Sequence, residues 1–199
     1  MMYLICTILL VLFCLLGAFD GLYFHLFKYK LHLHPSARKE HIIHTARAFV
    51  FVPMSLLLFV FNSEGIFLYA GIFLVLVDLG LELVDILEER KSRAPLGGIS
   101  SEETAIHVFA SSFKLAAITT LLLTKEAAAF TTMRAIETVP LPDYLRILGL
   151  LFAIGCLIGG IQSVMMMREL DKSGDAKKVV LRVFSNEPRS SPLGMASKS

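Results

Sequence analysis

The sequence predicts an all-α fold, a polytopic membrane helix bundle of about five transmembrane helices. Of its 199 residues, 55% are hydrophobic and only 18% are charged, whereas soluble domains usually carry about a quarter charged residues. The apolar residues are grouped into long blocks, each near the roughly 20 residues that a helix needs to cross a bilayer core. Both observations favour membrane spans over a soluble core, and we expect membrane lipid rather than nucleic acid as the partner.

Five blocks have the length of a membrane span, at residues 3–26, 43–62, 65–87, 104–124 and 145–167. The first block has no positively charged n-region and no A-x-A site after it, so we expect an uncleaved helix rather than a signal peptide. Residues 1–170 then form one transmembrane domain. Residues 171–199 are rich in Ser, Lys and Pro and predict a cytoplasmic, largely disordered basic tail, in which 178–184 has the composition of a short strand.

Lys and Arg are concentrated in alternate loops, which sets the orientation by the positive-inside rule. The turn at residues 62–65 carries no cation, and the fourth-to-fifth connection carries few. With five helices, this pattern places the N-terminus outside the cell (inner) membrane and the C-terminus in the cytoplasm. The cations of the loops on the cytoplasmic side are Lys28, Lys30, Arg38, Lys39, Arg90, Lys91 and Arg93.

A weak internal duplication relates the first and second pairs of helices. A shift of 63 residues places Glu40-x-x-x-His44 on Glu103-x-x-x-His107, and it places His25 on Glu88. Helices one and two then correspond to helices three and four, as two duplicated hairpins followed by a fifth helix. Repeats of this kind in membrane proteins often place a functional site at their interface.

Ionisable residues occur within or beside the apolar spans, at the spacing of single helix faces. Such residues cost several kcal/mol in a bilayer and therefore normally face the bundle interior or water. We expect them to converge near the cytoplasmic face. On the third helix these residues are Asp78, Glu82, Asp85 and Glu89. The other three helices contribute Asp20 and His25, then Glu40, His41, His44 and Arg47, and then Glu103, His107, Ser111 and Lys114.

These residue types in this arrangement predict a metal site. Imidazole and carboxylate ligands together suit Fe, Zn or Mn, and four-helix carboxylate proteins combine single Glu ligands with Glu–His pairs one turn apart. A haem held by His44 and His107 is an alternative that rests on the two histidines alone. The candidate metal ligands are His25, Glu40, His41, His44, Asp78, Glu82, Asp85, Glu103 and His107.

Three classes of function follow from this cluster. In the first, a metal-dependent enzyme acts on a lipid or other amphiphile, and Arg47 and Lys114 bind its anionic headgroup. In the second, the acids and histidines form a path for protons or cations, as intramembrane carboxylates often do. In the third, the two cations neutralise Asp78 and Glu82, and the charges only hold the helices together. The first class is favoured, because five helices are few for a transporter that acts as a monomer. The sequence leaves the substrate and the oligomeric state open.

Overall fold

Five long helices build the computed structural model, which describes residues 1–133 and 140–184. Two of them end in π-helical segments, at Asp20–Lys28 after α1 and at Leu56–Val60 after α2. Short 3₁₀ turns lie at Leu31–Leu33, Pro35–Ala37, Ala94–Leu96 and Ala127–Phe130. The helices are α1 (Met2–Phe19), α2 (Arg38–Ser55), α3 (Gly65–Arg93), α4 (Ser101–Leu122) and α5 (Asp143–Phe184).

The prediction of an all-α chain is confirmed, and each of the five helices is long and apolar enough to cross a membrane. The second helix begins at Arg38 rather than near residue 43, and its first turn exposes Arg38 and Lys39 while it buries Glu40. The strand prediction at 178–184 is wrong, since α5 continues to Phe184. Residues 185–199 of the predicted disordered tail lie outside the described residues.

The packing separates an apolar half of the bundle from a polar half. Close backbone packing joins α1 to α4 and α2 to both α3 and α5. The outer helix surfaces carry exposed aliphatic and aromatic side chains, as a lipid-facing surface would require. The apolar half is filled by Cys6, Leu10, Phe13, Met54, Leu58, Phe59, Leu68, Val75, Ala117, Ile118, Leu121 and Leu145.

A tight turn connects α2 to α3 at the apolar end. Asn62 (φ 49°) and Gly65 (φ 51°) adopt left-handed backbone conformations there, which Gly and Asn tolerate best. Lys125, just after α4, donates from Nζ to Asn62 Oδ1 at 2.6 Å and to the Ser63 carbonyl oxygen at 2.9 Å. This lysine therefore ties the turn to the neighbouring helix.

Glycine allows α5 to approach the end of the second span closely. A Cβ built on Gly149 would lie 2.7 Å from Phe59 Cβ and 3.3 Å from its carbonyl carbon. The carbonyl oxygen of Gly149 accepts a hydrogen bond from Ser55 Oγ at 2.8 Å. The absence of a side chain at Gly149 thus sets the position of α5 against α2.

We predict that Gly149→Ala lowers the free energy of unfolding by about 1–3 kcal/mol, because the new methyl group overpacks against Phe59. Gly155 is the matched control on the same helix, since nothing lies within 4 Å of the position that a Cβ would take there. Gly155→Ala should be neutral or stabilising by up to about 1 kcal/mol. Thermal unfolding in detergent measures both, and equal melting temperatures for the two variants would contradict the close approach.

Candidate functional site

Charged side chains from four helices meet in the polar half of the bundle. The acidic face of α3 forms its centre, because residues at i, i+4, i+7 and i+11 of an α-helix share one face. Asp78, Asp85 and Glu89 of this face are buried. The side chains that meet there are Asp20, His25, Glu40, His44, Arg47, Asp78, Glu82, Asp85, Glu89, Arg93, Glu103, His107 and Lys114.

The inner ion-pair cluster consists of Arg47, Asp78, Glu82, Asp85 and Lys114. Arg47 Nε lies 2.9 Å from Asp78 Oδ1, and another nitrogen of the same guanidinium lies 3.2 Å from Glu82 Oε2. Its third nitrogen lies 3.3 Å from Asp85 Oδ2. Lys114 Nζ contacts the Asp78 carboxylate and lies 2.6 Å from Glu82 Oε2. Two cations and three carboxylates therefore join α2, α3 and α4.

Arg47 and Lys114 are both engaged inside this cluster. Their side chains are 15% and 2% exposed, and Ser111 adds a hydrogen bond to Glu82. The two cations, to which the enzyme hypothesis gives an anionic headgroup, form ion pairs here with the protein's own carboxylates. This part of the interior matches the hypothesis in which charges hold the helices together.

A second cluster lies toward the helix ends that carry the cationic loops. We call it the histidine–carboxylate cluster, and it adjoins the inner ion-pair cluster through Asp85. Its members other than Asp85 are Asp20, His25, Glu40, His44, Glu89, Arg93, Glu103 and His107.

The π-helical end of the first span brings Asp20 and His25 into this cluster. In an α-helix, residues five apart point in different directions, whereas a π-helix pairs residue i with i+5. Asp20 Oδ2 accordingly lies 3.5 Å from His25 Nε2. The His25 ring also stands edge-on to the His44 ring, with centroids 4.5 Å apart. The π-helix therefore joins the first span to both α2 and α4.

Two His–Asp contacts join the two halves of the chain. His44 Nε2 of α2 lies 3.3 Å from Asp85 Oδ2 of α3. His107 Nε2 of α4 lies 3.0 Å from Asp20 Oδ1 of the first span, and its Nδ1 lies 3.4 Å from Glu89 Oε2. Each histidine belongs to the second helix of one pair, and the aspartate that it contacts belongs to the first helix of the other pair.

Arg93 occupies the centre of the acidic side chains and has no solvent exposure. Its Nη2 lies 3.0 Å from Glu40 Oε1, 3.4 Å from Glu89 Oε1 and 2.7 Å from Glu103 Oε1. Its guanidinium carbon lies 4.7 Å from the ring centroid of Tyr29. One cation thus connects three carboxylates that belong to α2, α3 and α4.

The sequence analysis places Arg93 among the cations of the cytoplasmic loops. The predicted metal ligands do not include Arg93, Asp20 or Glu89. The available signal was periodicity, because the acidic face of α3 continues from Glu89 to residues 92 and 93. Ser92 also lies on this face, and its Oγ donates to the Glu40 carboxylate. Extending the helix by one turn would have placed Arg93 in the cluster.

Two groups of side chains have the geometry of metal ligands. In each group the ligand atoms all lie within 4.8 Å of one another. The groups share His25, and together they draw on the first span, α2 and α4. The first group is Asp20, His25, Glu103 and His107, and the second is His25, Glu40 and His44.

Several polar atoms of these groups are buried without a hydrogen bond. They include Nε2 of His25, Nε2 of His44 and Oε2 of Glu103. Burying a polar atom without a partner costs about 1–3 kcal/mol, so such atoms are uncommon in a folded interior. The two histidine nitrogens still lie 3.5 Å from Asp20 Oδ2 and 3.3 Å from Asp85 Oδ2, so they face carboxylates without a hydrogen bond to them.

Other predicted ligands lie outside these groups. His41 is half-buried on the side of α2 that faces α5, where Thr45 donates to its carbonyl oxygen and contacts Ser163 Oγ at 2.5 Å. Asp78, Glu82 and Asp85 belong to the inner ion-pair cluster. The structure therefore brings together His25, Glu40, His44, Glu103 and His107 of the predicted ligands, and it adds Asp20.

Comparison with protein-family models, with curated proteins and with solved structures found no match to this chain.

We predict that Lys114→Met lowers the free energy of unfolding by about 3–5 kcal/mol, because it leaves Asp78 and Glu82 buried without this cation. Adding Asp78→Asn to this variant should restore part of the loss. Lys91→Met is the control on the protein surface, where a side chain 71% exposed pairs with Glu88. Its effect should stay below about 1 kcal/mol.

Chemical or thermal unfolding in detergent measures these differences. Equal stability of Lys114→Met and Lys91→Met would show that the inner ion-pair cluster does not hold α3 and α4 together.

Proposed function

We propose that this chain is an integral membrane protein whose histidine–carboxylate cluster binds a divalent transition metal near the cytoplasmic face. We further propose that the metal serves an enzyme acting on a lipid or other amphiphile. The observation that carries the proposal is the pair of ligand groups that share His25, in each of which histidine and carboxylate atoms lie within 4.8 Å of one another. The mixture of imidazole and carboxylate favours Fe, Zn or Mn.

The charge balance of the interior supports a bound cation. Seven carboxylates lie in the two clusters, and their only permanently charged partners among the described residues are Arg47, Arg93 and Lys114. The excess is four negative charges when the histidines are neutral. Unpaired buried charge is costly, so protons or metal ions must supply the remaining positive charge. Histidines beside the carboxylates make metal ions the better match.

The distribution of polar groups favours a site over a path through the membrane. Along the spans, ionisable side chains extend from the cationic loops only as deep as Asp78 and Lys114. Beyond that depth the bundle interior is the apolar core, which includes Leu58, Leu68 and Leu121. A proton or cation path needs polar groups or water across the whole span. The transport alternative therefore receives less support than a one-sided site.

The residues divide the chemical work as follows. Asp20, His25, Glu103 and His107 would hold the metal, and Glu40 with His44 extends the ligand set from the other side of His25. A metal in such a site supplies a Lewis acid, or activates water or O₂. Glu89 contacts Nδ1 of His107 and would orient this ring. Its Nε2, 3.0 Å from Asp20 Oδ1, would then be the nitrogen that shares the metal with Asp20.

The same geometry supports a duplicated bundle. The packing of α1 against α4 corresponds to that of α3 against α2 when the two helix pairs are exchanged. Glu40 and Glu103, the equivalent glutamates of the repeat, both contact the same guanidinium of Arg93. We propose that the cluster lies at the interface of two related hairpins.

We predict that His44→Ala and His107→Ala each remove most of the metal from protein purified in detergent. Metal binding should stabilise wild type and weaken at acid pH, because protonated ligands cannot bind. His41→Ala is the matched control, because His41 lies one turn from His44 but outside both ligand groups. Elemental analysis by mass spectrometry measures the metal content of each variant.

The metal proposal would be rejected by wild type that holds no stoichiometric metal after reconstitution with Fe, Zn and Mn. Equal metal loss in His41→Ala and His107→Ala would also count against the ligand set, because only His107 belongs to it.

We predict an outside N-terminus and a cytoplasmic C-terminus, because loops rich in Lys and Arg lie on the cytoplasmic side of a membrane. These loops lie at the same end of the bundle as the clusters. In a cysteine-free background, Met133→Cys should react with a membrane-impermeant maleimide in intact cells. Leu33→Cys, which is also exposed, should react only after the membrane is opened. The reverse labelling pattern would move the clusters to the outer face.

A further inference from the structure

A groove of about 470 Å³ lies between the π-helical end of the first span and the start of α4. Two of its lining residues are chain neighbours of candidate ligands, since Phe24 precedes His25 and Ile106 precedes His107. The groove lies at the end of two spans, which is the level of lipid headgroups in the proposed orientation. Its lining residues are Phe19, Tyr23, Phe24, Lys28, Glu102 and Ile106.

Aromatic rings form one wall of this groove. Phe19 and Tyr23 stack with ring centroids 5.0 Å apart, and Phe24 stands edge-on to both. Phe24 is buried, whereas Phe19 and Tyr23 are 46% and 41% exposed. Phe24 is therefore held by its neighbours, whereas the exposed rings of Phe19 and Tyr23 present apolar and π surfaces to a ligand.

The groove also carries one cation and one anion, Lys28 and Glu102, which both contact the Ser100 side chain and attract each other without direct contact. Lys28 Nζ lies 3.5 Å from Ser100 Oγ and sits 4.8 Å and 5.0 Å from the ring centroids of Phe24 and Tyr29. Glu102 is exposed and hydrogen-bonds near the start of its own helix. Opposite charges beside an aromatic wall match a ligand that is itself zwitterionic.

We propose that this groove binds the headgroup of a zwitterionic glycerophospholipid. Lys28 binds the phosphate, Glu102 and the open aromatic rings bind the ammonium group, and the acyl chains lie along the apolar surfaces of Phe19 and Ile106. Charge-assisted hydrogen bonds and cation–π contacts favour this arrangement. The inference rests on the proposed function in one respect, since it names the class of amphiphile that reaches the candidate site.

A second groove provides the contrast. It has about 260 Å³ and is lined by Lys39, Ile42, Ile43, Val84 and Glu88. It also pairs a lysine with a glutamate, but it has no aromatic wall, and Lys91 lies 2.7 Å from the Glu88 carboxylate. Substitutions at Lys39 and Glu88 therefore change the same charges at the same end of the bundle without changing the proposed site.

The test uses full-length protein in detergent, incubated with equal amounts of phosphatidylethanolamine and phosphatidylglycerol of identical acyl chains. Native mass spectrometry counts the bound lipids. Wild type should retain phosphatidylethanolamine in preference, Lys28→Met should lower retention of both lipids about tenfold, and Glu102→Gln should abolish the preference. The controls Lys39→Met and Glu88→Gln should bind as wild type, and melting temperatures verify that each variant is folded.

A preference of wild type for phosphatidylglycerol would overturn the proposal, as would unchanged binding in both Lys28→Met and Glu102→Gln. Equal losses in the two control variants would overturn it as well. The same measurement on His107→Ala separates this proposal from the metal site. That variant should lose metal and keep its lipid preference, so failure of the metal site leaves the groove result intact.

Discussion

The ion pairs of buried carboxylates with a few cations are the interaction on which the rest of this bundle depends. Arg93 joins α2, α3 and α4 through three glutamates, and Lys114 joins α3 to α4 more deeply. In a low-dielectric interior an unpaired charge costs several kcal/mol. Helix positions that separate these partners are therefore strongly disfavoured, and the apolar half of the bundle packs around that arrangement.

The two clusters differ in how completely their charges are satisfied. In the inner ion-pair cluster, Arg47 and Lys114 together contact all three carboxylates. In the histidine–carboxylate cluster, Arg93 serves three glutamates through a single nitrogen, and buried atoms of His25 and His44 make no hydrogen bond. The inner cluster thus has two permanent cations for three carboxylates, whereas Arg93 is the one permanent cation beside Asp20, Glu40, Glu89 and Glu103 among the described residues. This difference is the reason for proposing the histidine–carboxylate cluster, and not the inner ion-pair cluster, as the metal site.

The proposed site and the lipid groove are linked through the first span. Its π-helical end places Asp20 and His25 in the interior and presents Tyr23 and Lys28 toward the groove. A π-helix has more residues per turn than an α-helix, so it redistributes side chains between these two surfaces. The same π-helical segment can thus contribute to a metal site and to recognition of an amphiphile.

The sequence by itself determined the five apolar helices and the polar faces of α2, α3 and α4, because hydrophobic length and helical periodicity are local properties. It also predicted that Glu40, His44, Glu103 and His107 lie at similar depth, and the structure places the first two in one ligand group and the last two in another. Only the tertiary structure assigned Arg47 and Lys114 to ion pairs, excluded His41 from the ligand groups and placed Arg93 among the glutamates. Those outcomes depend on which helices are neighbours and on the π-helical turn of the first span, and neither can be read from the spacing of residues along one helix.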